Sequence, residues 1–327
     1  MFVNEDYTHG PHDREDVNIT VKVFKGHKGE INSCTFSSDN QLLVTASDDS
    51  SLIVWNVPKK RKLCELRGHD GPVNHCVFSP NSKLLASASF DRTVRIWETA
   101  SCNCTRVLYG HTKSVECVCF SHNAKMLCSS SWDKTLIVWS ASTGEILYHL
   151  EGHQDCVKAC TFSYEDDFIA SGSWDYSVRV WRLNPSDKYS SDQARWILSN
   201  YKKVTDYDVY CCVLSGHSGN VQTVIFSSVL LLASGSWDRS IILWNPIRGQ
   251  MLKKLLGHTG WVKALSFSSN SLELVSNAED DSVRIWNILS SGCTELCECT
   301  TDGAQNCVFS ADGTLLASGS MFMNPNK

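Results

Sequence analysis

No stretch of the 327 residues reaches 18 uninterrupted apolar positions, so no membrane-spanning helix is expected. The first residues, MFVNEDYTHGPHDRED, lack the charged-then-apolar order of a secretory signal. Positive charge is not in excess: 30 Lys and Arg stand against 35 Asp and Glu, a formal net charge of −5. A surface that tracks phosphates carries the opposite sign, so direct nucleic-acid binding is not expected. No segment sustains a helical period for three turns, which argues against an α-rich fold. There is no glycine-rich phosphate loop, and no Cys-x-x-Cys with a nearby His. Without an export signal, the 16 cysteines read as reduced, packed thiols rather than a disulfide framework. Cys34, Cys76, Cys117, Cys119, Cys160 and Cys307 each shortly precede a Phe-Ser in a strand-like run. Three Cys-x-Cys pairs (102/104, 117/119 and 297/299) place both sulfurs on one face of a strand. A metal site there stays open, but packing is the reading favoured by the spacing, and no cofactor is expected.

What the chain has is repetition. SGSWDYSVRVW (171–181) returns as SGSWDRSIILW (234–244), with variants at 45–55, 87–97, 129–139 and 276–286. The closing tryptophans, Trp55, Trp97, Trp139, Trp181, Trp244 and Trp286, are spaced by 42, 42, 42, 63 and 42 residues. Gly-His pairs keep the same beat at 26–27, 68–69, 110–111, 152–153, 216–217 and 257–258. A period near 40 residues means an array of one structural unit. Residues 68–108 show the unit: VNHCVFS, LLASAS, TVRIW and TRVL, with turn residues between them. These are four short strands of ordinary length, an antiparallel meander. One such sheet cannot cover both its faces, but radially arranged copies cover each other, and small residues in LLASAS and LLLASGS suit the crowded region near an axis.

With Gly-His opening and Trp closing each unit, the chain resembles the WD-repeat β-propeller family over roughly residues 17–320. The expected fold is therefore all-β: a seven-bladed WD-repeat β-propeller with an incomplete last blade. GAQNCVFSADGTLLASGS (303–320) matches only the first half of a seventh unit. The expected layout is a flexible acidic N-terminus (1–16), one propeller (17–320) and a tail (321–327). VNITVKVF (17–24) reads as an outermost strand that closes the ring beside 314–319. The departure from the family pattern is the residue after each closing Trp, which is never Asp.

Each unit also carries Ser or Thr, His and Asp, the ingredients of a hydrolase triad. A hydrolase needs one such set, and this chain writes six. The resemblance implies instead a buried hydrogen-bonded chain from Trp through Ser or Thr and His to Asp. The sets are His27, Thr45, Asp49 and Trp55; His69, Ser87, Asp91 and Trp97; and His111, Ser129, Asp133 and Trp139. The remaining three are His153, Ser171, Asp175 and Trp181; His217, Ser234, Asp238 and Trp244; and His258, Ser276, Asp280 and Trp286. Chemically such a chain satisfies every member, since Trp only donates, carboxylate only accepts, and hydroxyl and neutral imidazole do both.

The irregularities carry the functional information. An insertion at about 182–210, with Trp196, Tyr189, Tyr201 and Tyr207, is either a tolerated surface loop or an arm for a partner. Pro58-Lys59-Lys60-Arg61-Lys62 is either an exposed turn or a nuclear-import signal. Just before each clamp Asp stand Asp48, Phe90, Trp132, Trp174, Trp237 and Glu279. By the resemblance, Phe90, Trp132, Trp174, Trp237 and Trp261 ring the top mouth of the channel, with Glu116, Lys158 and Lys263 just inside. These aromatics either cover blade edges or bind partners. The expected function is a non-enzymatic scaffold presenting its top face to proteins or peptides, in the cytoplasm, with the nucleus as the alternative. The rival readings are a ubiquitin-ligase substrate receptor, although the Trp-Asp-x-Arg docking signal is missing, and a subunit of a histone-tail or RNA-processing complex.

Overall fold

A computed structural model describes residues 23–183, 201–204, 209–268, 270–290, 292–298, 306–309 and 316–319. Each repeat folds into one antiparallel sheet. Six sheets follow in chain order, at 31–67, 73–109, 115–150, 157–215, 221–256 and 262–298, and within each the four principal strands pair in sequence order. The first strand of each sheet packs against the first strand of the next, so the sheets stand as blades around a common axis.

Burial follows that placement. Second strands such as Phe168–Ser173 are buried throughout, because a neighbouring blade covers each face. Fourth strands such as Asn103–Tyr109 are mostly exposed, because they form the rim. The apolar core is accordingly a series of layers between blades. Val94, Ile96 and Leu108 of blade two meet Val118, Leu127 and Trp139 of blade three, and similar layers follow between blades four and five and between five and six. The small residues of the second strands are required by this contact. A Cβ on Gly172 would lie 2.7 Å from Val221 Cγ1 of the next blade.

Among the described residues the expected seventh blade is not present: six blades are built. Residues 303–320 contribute only a two-stranded ribbon, Asn306–Phe309 paired with Leu316–Gly319, which lies against the first strands of blades one and six. A blade needs a third strand ending in the clamp Trp and a fourth strand outside it, and the described residues after Glu298 form only these two strands. Most of the expected closing strand, 17–22, lies outside the described residues. Its last residue, Phe24, packs edge-on against Trp55 of blade one, ring centroids 5.5 Å apart, beside Ala317 of the ribbon.

The insertion enters between the third and fourth strands of blade four, Ser177–Arg182 and Tyr210–Ser215. Residues 184–200 and 205–208, with Tyr189, Trp196 and Tyr207, lie outside the described residues. Lys202–Lys203 adds a short fifth strand to that blade. Tyr201 is buried against Phe168, and its hydroxyl donates to the Pro246 carbonyl of blade five at 2.6 Å. The basic run 58–62 is exposed at the turn between the last two strands of blade one. The expectation of wholly reduced thiols fails at one pair: Cys64 and Cys102 form a disulfide joining blades one and two. The sequence could not show it, because the partners stand on different repeats, 38 residues apart.

Candidate functional site

Two sets of side chains recur blade by blade. The first is the polar clamp. In blade four, Trp181 Nε1 donates to Ser171 Oγ at 2.9 Å, Ser171 meets His153 Nε2 at 2.8 Å, and His153 Nδ1 meets Asp175 at 2.8 Å. Because Trp can only donate, the hydroxyl accepts from it and passes its own proton to Nε2, which leaves Nδ1–H for the carboxylate. The same chain joins Trp55, Thr45, His27 and Asp49 and Trp97, Ser87, His69 and Asp91. It joins Trp139, Ser129, His111 and Asp133 and Trp244, Ser234, His217 and Asp238. It also joins Trp286, Ser276, His258 and Asp280.

Two further members were not foreseen. The residue two after each Asp is always Ser or Thr, and its N–H and hydroxyl both donate to the carboxylate, as Ser177 does to Asp175 at 2.9 and 2.6 Å. The residue between them is left-handed in every repeat: Ser50, Arg92, Lys134, Tyr176, Arg239 and Asp281 have φ of 57–73°. The carboxylate therefore also holds a turn that L-residues resist. The signal in the sequence was the invariant hydroxyl two places on. Burial pushes the Asp175 carboxyl up. The His153 hydrogen bond and charge, with the Ser177 and Gln154 donors, outweigh it and hold the group well below the usual carboxylate range. Asp91, Asp133, Asp238 and Asp280 are lowered by the same balance. Asp49 is held at about 2. Burial also lowers the His153 imidazole, only partly offset by Asp175. Every nucleophile, base and acid of the apparent triads is thus engaged with its neighbours, six times over.

The second set lies where the turn after each second strand meets the Gly-His loop. Backbone bonds tie the two together, as Trp132 N–H to Ser114 O and Trp174 N–H to Cys156 O, at 3.0 and 2.9 Å. Four tryptophans from blades three to six form a continuous arc there. Trp132 stands edge-on to Trp174 at 5.0 Å, Trp174 is tilted against Trp237 at 5.4 Å, and Trp237 stacks on Trp261 at 4.2 Å and 8°. Trp132 is 42% exposed and Trp261 41%, while Trp174 and Trp237 are half-buried. Phe90 is 63% exposed and makes no ring contact among the described residues, so the arc does not include it. Trp174 Nε1 is buried and meets no hydrogen-bond partner among the described residues.

Inside the arc, a β-bulge opens the first strand of every blade. The bulged residues are Asn32, Asn74, Glu116, Lys158, Gln222 and Lys263. A bulge re-aims a side chain out of the alternating pattern, so one polar residue per blade is singled out. Three of the six were expected here; Asn32, Asn74 and Gln222 were not. Glu116 is 7% exposed and fully engaged, accepting from Asn74 at 3.2 Å and Ser114 at 2.7 Å and pairing with Lys158. It is therefore a strut between blades rather than an open acid. Lys263 is half-buried and makes no ion pair among the described residues. Gln222 Oε1 is buried without a partner among the described residues.

The family model for the WD40 repeat, "WD domain, G-beta repeat", matches six segments: 18–56, 60–98, 102–140, 144–182, 209–245 and 249–287. The chain belongs to the WD40 family. Its six matched repeats agree with the six blades. WD40 propellers generally serve as platforms for protein interaction rather than as enzymes. Among curated relatives, the chain is 33% identical over 99 residues to nuclear distribution protein nudF of Aspergillus terreus, covering 27% of this chain and 22% of that protein. It is 39% identical over 66 residues to nuclear distribution protein nudF 2 of Talaromyces marneffei, covering 20% and 14%. This WD40 propeller therefore spans less than a quarter of the length of either relative.

Proposed function

We propose that this WD40 propeller is a non-enzymatic scaffold whose top face takes a peptide segment of a partner protein. The observation that carries the reading is the arc Trp132–Trp174–Trp237–Trp261. Nothing in the fold requires aromatics at those turns, since Asp48 and Glu279 fill the same place in blades one and six. Exposed Trp bordered by polar groups is the usual make-up of an interface hot spot. An Arg or Lys side chain on such a ring gains about 0.5–2 kcal/mol by cation–π attraction.

The test is a pull-down that compares wild type with Trp132→Ala/Trp174→Ala after matching their melting curves. Loss of the wild-type partners is expected. Identical partners in identical amounts would overturn the reading. We place the protein in the cytoplasm, with 58–62 as the segment that would admit it to the nucleus; deleting that run and imaging the chain tests this. Phrases such as GHTGWVKALSFS and SGSWD further suggest a likeness to the small animal protein WD repeat-containing protein 38. The reading requires no cofactor, membrane or nucleic acid.

A further inference from the structure

Three sulfurs meet between blades three and four. Cys119 and Cys128 stand directly opposite each other on the first two strands of blade three. Cys160 reaches them from the first strand of blade four, with its Sγ 3.8 Å from Cys119 Sγ. All three Sγ atoms lie within 4.8 Å of one another. Cys128 and Cys160 are buried, while Cys119 is partly exposed. Cys117 is nearby, but its thiol points to the Cys160 carbonyl at 3.7 Å and lies outside the group.

Packing alone does not call for this arrangement. Thiols at the Cys160 position recur at Cys34 and Cys76, and each rests against a backbone carbonyl, Ala317 and Ser33, as Cys160 does against that of Cys128, but neither belongs to a three-thiol group among the described residues. Sulfur at the other two positions is peculiar to blade three. Where blade three has Cys119, the other blades carry Thr35, Val77, Thr161, Ile225 and Ser266. Where it has Cys128, they carry Val44, Ala86, Ala170, Ala233 and Val275. One blade has therefore put two extra thiols where they converge on a third.

We propose that Cys119, Cys128 and Cys160 form a three-sulfur site for a thiophilic d10 cation, Zn(II) or Cu(I). Thiolates select these two ions among those available to proteins. A metal about 2.3 Å from each of three sulfurs needs them roughly 3.8–4.0 Å apart. The group already stands at that spacing on one edge and within a sub-ångström adjustment on the others. The cation displaces the thiol protons as it binds. Cu(I) is satisfied by the three sulfurs in a plane. Zn(II) takes water as its fourth ligand on the side where Cys119 is exposed, the arrangement of sites with three protein ligands. The site joins two blades, so a bound ion staples them. It is independent of the top-face reading, since none of its residues lies in the tryptophan arc.

The experiment titrates the reduced full chain with Zn(II), and separately with Cu(I) under anaerobic conditions, against a chromophoric chelator. Cys119→Ser, Cys160→Ser and a Cys104→Ser control, whose thiol is exposed and remote from the group, run alongside. The expected result is one equivalent of either ion held by wild type and by Cys104→Ser. Cys119→Ser loses at least about 100-fold in affinity, more than a change in the outer shell of a metal site costs. Tight Zn(II) points to the water-completed site, and Cu(I) alone to the trigonal one. Wild type retaining neither ion, or Cys119→Ser and Cys160→Ser binding as wild type does, overturns the proposal. If the variants fail to fold, alkylation of native wild type followed by peptide mass spectrometry decides. Cys119 is shielded by the cation if the proposal holds, and labels at an unchanged rate if it does not.

Discussion

Replacing Asp175 with Ala tests what the clamp contributes. The carboxylate accepts four hydrogen bonds: from His153 Nδ1 at 2.8 Å, Gln154 N–H at 2.9 Å, Ser177 N–H at 2.9 Å and Ser177 Oγ at 2.6 Å. The His153 side chain is fully buried, so its Nδ1–H has no water to turn to, and a stranded buried donor costs about 1–3 kcal/mol. The left-handed turn at Tyr176 also loses the two bonds that offset its strain, while Gln154 N–H, on an exposed residue, can be rehydrated. Together these give about 3–5 kcal/mol, the range found when one side of a buried polar pair is removed. For a chain of this length that is roughly 2 °C per kcal/mol, or a melting temperature about 6–10 °C lower. Asp175→Asn should lose less, about 1–2 kcal/mol, because the amide can still accept from Ser177 while His153 changes tautomer. Scanning calorimetry of the three proteins is the assay. An Ala variant melting within about 2 °C of wild type, or an Asn variant as damaged as Ala, would refute the reasoning.

Acid should weaken the fold in two steps of the same sign. His153 lies below its ordinary 6.5 through burial, so the stability it contributes is complete above 6.5 and lost as pH falls below it. Asp49 lies at about 2, below 3.8, so its contribution is complete above 3.8 and lost as pH falls toward 2. Urea midpoints measured across that range should fall; a rise between pH 6.5 and 4 would contradict the His153 assignment, and a rise below pH 3.8 the Asp49 one. Gly110→Ala should cost about 1–3 kcal/mol by overpacking. The new methyl would sit 2.8 Å from Trp139 Cη2 and 3.1 Å from Ile137 Cδ1, and Trp139 is held in place by its bond to Ser129. A denaturation midpoint equal to wild type would show that the indole moves aside freely.

What was legible beforehand had the period of the repeat. Gly, His, Ser, Asp and Trp recur in phase, so the spacing of His153, Ser171, Asp175 and Trp181 within one unit predicted who would meet. Features that cross from one unit to the next had no such signal. Cys64 and Cys102, or Cys119 and Cys160, meet only because adjacent blades pack face to face. The bulge that singles out Glu116 and Lys158 changes pairing without changing residue type, so alternation could not reveal that these two would pair. The seventh blade failed for a related reason. Two strands at 306–309 and 316–319 have the right composition, but a blade is completed by partners, and pattern counts strands without counting their partners.

A ring of near-identical units is a poor compass. Six similar blades would offer a visiting peptide six almost equivalent rotational settings. Averaging over them would leave an encounter without direction. The tryptophans occupy blades three to six, while blade one carries Asp48 and blade two a Phe90 apart from the arc, so the aromatic surface is continuous on one side and broken on the other. Selecting one setting in six costs only about 1 kcal/mol of orientational entropy, RT ln 6. A single ring contact of the kind the arc offers is enough to cover it. On the proposed reading, the uneven spread of tryptophans over the blades would let a rotationally repetitive body tell one end of a bound chain from the other.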